Sequence, residues 1–277
     1  MIVCYMKKNN DSLLQEGYTG KIFGSTESPS NRILIGIPLT GVVRGEWMLA
    51  RYGQVIPCNW SQVDCIQWLD QWSPIGFLVA DARNIIATAC VEKEFEWVFF
   101  IDHDTIIPPD TVLKFNDRML KADIPIWSGL YFTRSMPSEP LVYRGRGNSY
   151  YNKWKMGEDV WVDGLPMGCT MIHSSILKAL YDESPEYEVK GHRVRKIFET
   201  PARSHFDPET QSWFNSVGTE DLEFCTRIMK NNIFKKAGWP EYQKKEFPFL
   251  VDTSIFCKHI DMNGVQYPAN GEEQEFN

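Results

Sequence analysis

The chain has 277 residues, 43% of them apolar and 23% charged, with a formal net charge of −7; it is long enough to bury a full core, in one domain or one and a half, and has the composition of an ordinary globular protein. The negative balance argues against nucleic acid as a partner, and no apolar run approaches the roughly 20 residues of a membrane span. Met1 to Met6 is too short for a secretory core, and the seven cysteines are scattered without Cys-x-x-Cys or zinc-ligand spacing, so they read as reduced, mostly buried thiols of a cytoplasmic protein.

Residues 1–30 are polar and read as a flexible or peripheral arm. Ile33 to Ile37 is the first buried strand, and it ends in the turn Pro38-Leu-Thr-Gly41. Trp47 to Tyr52 reads as a short helix; Cys65 to Trp72 suits helix or strand, and Ile75 to Ala80 suits strand or extended loop. Asp81 opens a helix as its cap, with Ile85, Ile86, Ala89 and Cys90 on one face. Val98 to Ile101 is an unbroken apolar run that reads as a strand buried on both faces. Pro109 and Asp110 start the next helix, with Val112, Phe115, Met119 and Leu120 on its buried face, and Ile124 to Phe132 is strand-like. This alternation over roughly 100 residues indicates a parallel sheet with crossover helices.

The second half is less regular. Leu141 to Trp154 carries Gly145, Gly147 and Asn148 between Tyr-rich flanks, a hairpin pattern. Val160 to Val162 and Cys169 to Ile172 read as strands, and Ser174-Ser175 caps a helix through Leu180. Residues 183–215 are polar, contain prolines and lack clear periodicity, as a functional flap or mobile loop does. Glu220 and Asp221 open a helix whose apolar face is Leu222, Cys225 and Met229, and Phe249 to Cys257 is the last strand, followed by Lys258-His259-Ile260.

The chemistry concentrates after Val98–Ile101. Asp102 and Asp104 follow that strand with one residue between them. In extended chain such positions point to one side, at the carboxyl edge where open α/β sheets bind ligands. Two carboxylates held together favour a cation between them, and oxygen ligands select Mg²⁺ or Mn²⁺, ions that also grip phosphates. Taken alone, an acidic turn after a strand is the commoner meaning of Asp-x-Asp. Dinucleotide, P-loop, nucleophile-elbow and zinc-protease motifs are absent. What remains is this acid pair, a second pair at Glu220-Asp221, and one His after a late strand.

That order resembles the GT-A glycosyltransferases, specifically family 2-like members. The matching segments are Ala82-Arg-Asn84, Phe100-Ile-Asp-His-Asp104, Gly129-Leu-Tyr-Phe132, Gly168-Cys-Thr-Met171, Gly218-Thr-Glu-Asp-Leu-Glu-Phe-Cys225 and Lys258-His-Ile260. Each is weak alone; their order and spacing carry the likeness. The chain departs from the family at Gly168-Cys-Thr, where Gly-x-Gly is more usual, and in a longer link from Lys235 to Phe249.

The resemblance implies an α/β fold with a mixed sheet flanked by helices, a nucleotide-sugar half over 31–134 and an acceptor half over 135–277. It implies transfer of a sugar from a nucleotide-diphosphate donor, UDP- or GDP-linked, to a glycan or other hydroxyl acceptor, with inversion. Asp104 and His259 are the expected metal ligands, with Asp102 on a metal-bound water or the ribose; the nitrogen ligand favours Mn²⁺ over Mg²⁺. Pro38, Leu39, Thr40, Arg83, Asn84, Asp102 and His103 are expected along the nucleotide, and Gly168, Cys169 and Trp213 at the donor sugar or acceptor. Asp221 is the expected base, with Glu220 beside it. Acids at a helix start are also favoured by the dipole alone. The alternatives are a retaining enzyme of the same fold, a nucleotidyltransferase, and a glycan-binding protein without turnover. The second is disfavoured because the turn after the first strand has one Arg, Arg44, and little Gly.

Overall fold

The computed structural model describes residues 32–56, 68–145 and 151–272. The arm expected over 1–30, the start of the segment expected from Cys65, and the turn expected at Gly147 and Asn148 lie outside the described residues. In chain order the first half contains β1 (Arg32–Gly36), α1 (Gly45–Tyr52), β2 (Trp68–Trp72), α2 (Val79–Glu92), β3 (Trp97–Ile101), β4 (Thr105–Ile106), α3 (Thr111–Lys121) and β5 (Ile126–Leu130). The second contains β6 (Asp159–Val162), β7 (Cys169–His173), α4 (Ser174–Glu183), β8 (Glu186–Val189), β9 (His192–Arg195), β10 (Ala202–Asp207) and β11 (Ser212–Val217). It ends with α5 (Glu220–Lys230), α6 (Ile233–Lys236), α7 (Pro240–Gln243), β12 (Phe249–Phe256), β13 (Lys258–Ile260) and β14 (Gln266–Tyr267).

One seven-stranded sheet, ordered β2-β1-β3-β7-β5-β12-β6, forms the centre. The central strands β3 and β5 are buried at every residue because both faces of the sheet are covered by helices. Side chains alternate along a strand, so Val98 and Phe100 enter one core with α2, α4 and α5, while Trp97, Phe99 and Ile101 enter another with Trp47 of α1 and Phe115 and Met119 of α3. The sheet is mixed. β1 runs parallel to β2 and β3, and β12 runs parallel to β5, but β7 lies antiparallel between β3 and β5 and β6 antiparallel at the edge. The parallel sheet expected from the first half alone is therefore interrupted by a strand from the second half.

Several local expectations are corrected. α2 begins at Val79 with Leu78 at its cap, so Asp81 sits in the first turn, where its carboxylate accepts from the Tyr187 hydroxyl at 2.6 Å. The face of α3 closes with Val112, Phe115 and Met119; Leu120, one residue or about 100° further round, is 42% exposed. α5 buries Phe224, Cys225 and Ile228, leaving Leu222 and Met229 half-buried. α4 is capped by His173, whose Nδ1 accepts from the Ser175 amide, rather than by a serine. Tyr143 bridges Gly164, and the Tyr151 amide reaches the Val142 carbonyl at 2.8 Å; the residues that would turn the expected hairpin lie outside the described ones.

The largest correction concerns 183–215. Four strands occupy it, as two antiparallel ribbons, β8–β9 and β10–β11. The first ribbon lies on α2: the Arg195 amide donates to Thr88 Oγ1 at 3.1 Å, and Val194 is buried. That covering explains why α2 is buried on every side from Ala82 to Cys90. Cys90, Cys169, Cys225 and Cys257 are buried and form no disulfide, as expected of structural thiols. Among the described residues no helix is long and apolar enough to cross a membrane.

Candidate active site

The site is built where β3 leaves the sheet. The chain turns at once: the Thr105 amide donates back to the Asp102 carbonyl at 3.1 Å, Trp47 Nε1 donates to the same oxygen at 2.8 Å, and the Asp102 amide donates to the Gly168 carbonyl at 3.0 Å. The extended geometry expected to aim Asp102 and Asp104 together is thus overturned, and the two carboxylates find different partners.

Asp102 belongs to a buried charge network. Arg83, 2% exposed on α2, donates through its Nη2 to both Asp102 oxygens at 2.9 and 3.0 Å and through its Nε to Glu220 Oε1 at 3.0 Å. Burial disfavours its charge, but Asp102, Glu220 and Asp221 outweigh that and hold its pKa above the ordinary value. Arg83 Nη1 is buried without a hydrogen-bond partner. One arginine therefore ties the end of β3 to the start of α5.

Asp104 has other partners. Its Oδ2 pairs with Arg134, and its Oδ1 stands 3.8 Å from His259 Nε2. Strand register brings the histidine there: β13 pairs antiparallel with β4, His259 opposite Thr105, and the Ile260 amide donates to the Asp104 carbonyl at 2.8 Å. A register shift in β12 between Asp252 and Phe256 precedes this pairing. His259 Nδ1 contacts the Phe132 carbonyl at 2.6 Å. A carbonyl only accepts, so the ring proton is on Nδ1. Burial, and then Arg134, push the imidazole pKa down to about 4, so Nε2 carries a lone pair toward Asp104. Two electron-pair donors facing each other at this distance suit a cation between them.

Tyr131 joins the two ends. Its ring meets His259 edge-on at 5.1 Å, its hydroxyl accepts from the Gly168 amide at 3.0 Å, and its pKa is raised by burial and by the charges of Asp102 and Asp221. A β-carbon at Gly168 would lie 2.8 Å from Thr105 Oγ1 and 2.9 Å from the Tyr131 hydroxyl, so only glycine fits there. Thr105 Oγ1 is itself buried without a hydrogen-bond partner.

Asp221 begins α5 beside this cluster. Its Oδ1 accepts from the Leu222 amide at 2.8 Å. Burial and the neighbouring Glu220 charge nevertheless raise its pKa to about 6, against the pull of Thr219 and Arg83. Glu220 is the more buried of the two and is bound to Arg83.

A cavity of ≈ 180 Å³ opens at the same edge and brings together Pro38, Leu39, Thr40, Asp102, His103 and Asp104. Phe77 and Val79 add an apolar wall. His103 Nε2 lies 3.2 Å from Thr40 Oγ1, and burial lowers the imidazole pKa.

Three expected residues stand elsewhere. Asn84 is 1% exposed; its Nδ2 donates to the Phe198 carbonyl and the Tyr187 hydroxyl, and its Oδ1 accepts from the Phe198 amide at 2.6 Å. It clamps the chain after β9 to α2, and its polar atoms are taken up there. Cys169 is fully buried and hydrogen-bonded to Cys257, so it offers no surface to a sugar. Trp213 lies on β11, opposite Phe206 of β10. Sequence reasoning passed over Tyr131, Arg134 and Phe77. Tyr131 lay inside the quoted Gly129–Phe132 segment, but its apolar neighbours made it look like core.

Among the described residues no three His, Cys, Asp or Glu side chains gather into a metal cage. No protein-family model and no curated protein matches the chain. Solved structures similar to it include A197 from STIV, with 16% identity, a TM-score of 0.47, and coverage of 83% of this chain and 86% of that one. Another is GalNAc-T7 with UDP, GalNAc and Mn²⁺, with 10% identity, a TM-score of 0.45, and coverage of 85% of this chain and 45% of that one.

Proposed function

We propose that this protein is a GT-A-type glycosyltransferase that moves a sugar from a nucleotide-diphosphate donor to an acceptor hydroxyl, with inversion. The observation that carries the reading is the meeting, around Tyr131, of a carboxylate–imidazole pair suited to a cation, Asp104 and His259, with a carboxylate raised to about 6, Asp221.

The residues fit a divalent ion of the kind that binds through one or two protein ligands and completes its shell with phosphates and water. Asp104 and His259 would hold it; two ligand atoms each ~2.0–2.2 Å from one ion stand about 3–4 Å apart, and theirs are 3.8 Å apart. The nitrogen favours Mn²⁺. When bound, such an ion supplies Lewis-acid stabilisation of a leaving diphosphate.

The chain's own groups do the rest. The cavity's apolar wall, Leu39, Phe77 and Val79, takes one face of the base, with Thr40 and His103 at its polar edge. The cavity is too small for a whole nucleotide sugar, so the diphosphate lies beyond it, toward Asp104 and His259. Asp221 takes the proton from the acceptor hydroxyl as its oxygen attacks the anomeric carbon. The new carbon–oxygen bond forms as the bond to phosphate breaks, and the electron pair leaves with the nucleoside diphosphate. A base with a pKa near 6 is ionised at neutral pH yet still basic enough to take a proton. Arg83 holds Glu220, and through it the first turn of α5, against Asp102, which fixes where Asp221 stands.

Incubation with isotope-labelled UDP-, GDP- and dTDP-sugars and Mn²⁺ tests the reading. It expects nucleoside diphosphate release with transfer of the labelled sugar. Release of pyrophosphate would identify a nucleotidyltransferase instead, and no release with any donor would leave a binding protein.

A further inference from the structure

We propose that Arg134 is a stand-in for the cation at Asp104: its guanidinium and a divalent ion hold that carboxylate in turn, never together. The proposal rests on the metal reading of Asp104 and His259 and adds a competitor to it.

The two oxygens of Asp104 are divided. Oδ2 pairs with Arg134, and Oδ1 faces the bare His259 nitrogen. Without a positive charge there, a carboxylate would confront a ring lone pair at 3.8 Å, at a carboxylate that is only 19% exposed. The guanidinium supplies that charge. Its place is set by the loop that carries it. The Thr133 amide donates to the Glu139 carbonyl at 2.9 Å and the Leu141 amide to the Tyr131 carbonyl at 2.9 Å, closing the loop at its base. Inside it, Ser138 Oγ donates to the Ser135 carbonyl at 3.1 Å. The arginine is therefore presented to Asp104 by a built turn.

It is also free to leave. The Arg134 side chain is 47% exposed, against 2% for Arg83, so it can swing into solvent without opening the core. A divalent ion at Asp104 would stand beside a like charge and has to displace it. The observed affinity for the ion then falls by the fraction of molecules in which the arginine is absent from Asp104. Anything that draws the guanidinium away, an anionic ligand in the cleft above all, raises that affinity by linkage.

Mn²⁺ binding to the whole chain, without nucleotide, can be followed by the loss of the free-ion electron paramagnetic resonance signal. Wild type is compared with Arg134→Ala, Arg134→Gln and Asp104→Asn. Both Arg134 variants are expected to bind Mn²⁺ about 3–10-fold more tightly than wild type, and Asp104→Asn to lose the site. If both Arg134 variants bind as wild type does, or more weakly, while Asp104→Asn loses the ion, the stand-in is overturned and the metal reading survives. If Asp104→Asn binds like wild type, or none of the four binds Mn²⁺, the metal reading fails and the stand-in falls with it.

Discussion

Asp102 and Asp104 carry the same group, two residues apart, on one turn, and the structure treats them in opposite ways. Asp102 is held on both oxygens by an arginine that is itself buried and shared with Glu220. Asp104 is held on one oxygen by a half-exposed arginine and faces an imidazole lone pair with the other. The first end is saturated and rigid; the second is exchangeable. The difference lies in the arginines. Arg83 is anchored by two carboxylates and is 2% exposed, whereas Arg134 projects from a surface loop. A site that must hold its geometry and also admit a ligand needs both kinds of contact.

The comparison breaks most visibly at Arg83. Arg83→Met leaves Asp102 and Glu220 without their shared cation in a buried place, and is expected to cost about 3–5 kcal/mol. Arg134→Ala, at a half-exposed pair, is expected to cost ~0–1 kcal/mol. Urea denaturation of both variants measures the contrast, and equal midpoints would erase the distinction between the two ends.

Asp221→Asn sharpens the same contrast from the side of α5. Loss of a positioned base lowers turnover by about 10²–10⁴-fold while the fold is retained. In wild type, kcat/KM should fall as the pH drops below about 6, where Asp221 takes up its proton. Stability moves the other way. The folded state binds that proton more tightly than the unfolded chain does, so the stability linked to it is full below the ordinary carboxylate range and is lost as the pH rises through about 6. Replacing the ionised group by Asn should therefore stabilise the protein at pH 8, by ~1–3 kcal/mol at most, and have little effect near pH 4. Thermal melts at the two pH values test this, and a loss of stability at pH 8 would contradict it.

Gly168→Ala probes the floor between the two ends. The added carbon meets Thr105 Oγ1 at 2.8 Å and the Tyr131 hydroxyl at 2.9 Å, an overpacking expected to cost about 1–3 kcal/mol. An unchanged denaturation midpoint would show that Tyr131 is not fixed there. The smallest effect is expected far from both ends: Leu120→Gln, on the exposed side of α3, should shift stability by no more than ~0.5 kcal/mol.

Much of this fold was legible in the sequence, for identifiable reasons. The strands at Ile33 and Val98 are continuous apolar runs, too short for a buried helix and of the kind a sheet covered on both faces requires. The candidate residues Asp104 and His259 could be singled out because they follow the long apolar strands β3 and β12, where the change from apolar to polar is abrupt. The β8–β11 ribbons were missed because their strands are short; Glu186, Glu188 and His192 are exposed, and the alternation in Glu186–Val189 lasts only four residues. Asn84 was misread because a polar side chain in a first helical turn looks like a ligand contact until its partner is known, and Phe198 is 114 residues away. The split of the Asp-x-Asp pair was hidden for the same reason. Local spacing fixes direction only while the chain stays extended, and the turn at Asp102 depends on Trp47 and Gly168, 55 and 66 positions distant.

The most direct test of the account is whether a divalent ion seats between Asp104 and His259. In ¹⁵N-histidine-labelled protein, His259 is expected as the Nδ1–H tautomer, because Phe132 accepts at that nitrogen. His173 is expected as the reverse tautomer, because its Nδ1 accepts from Ser175. Substoichiometric Mn²⁺ should broaden the His259 ring signals first, leave His173 sharp, and lose this selectivity in Asp104→Asn. Broadening that spares His259, or that is the same in wild type and Asp104→Asn, would contradict the metal site on which the proposed chemistry depends.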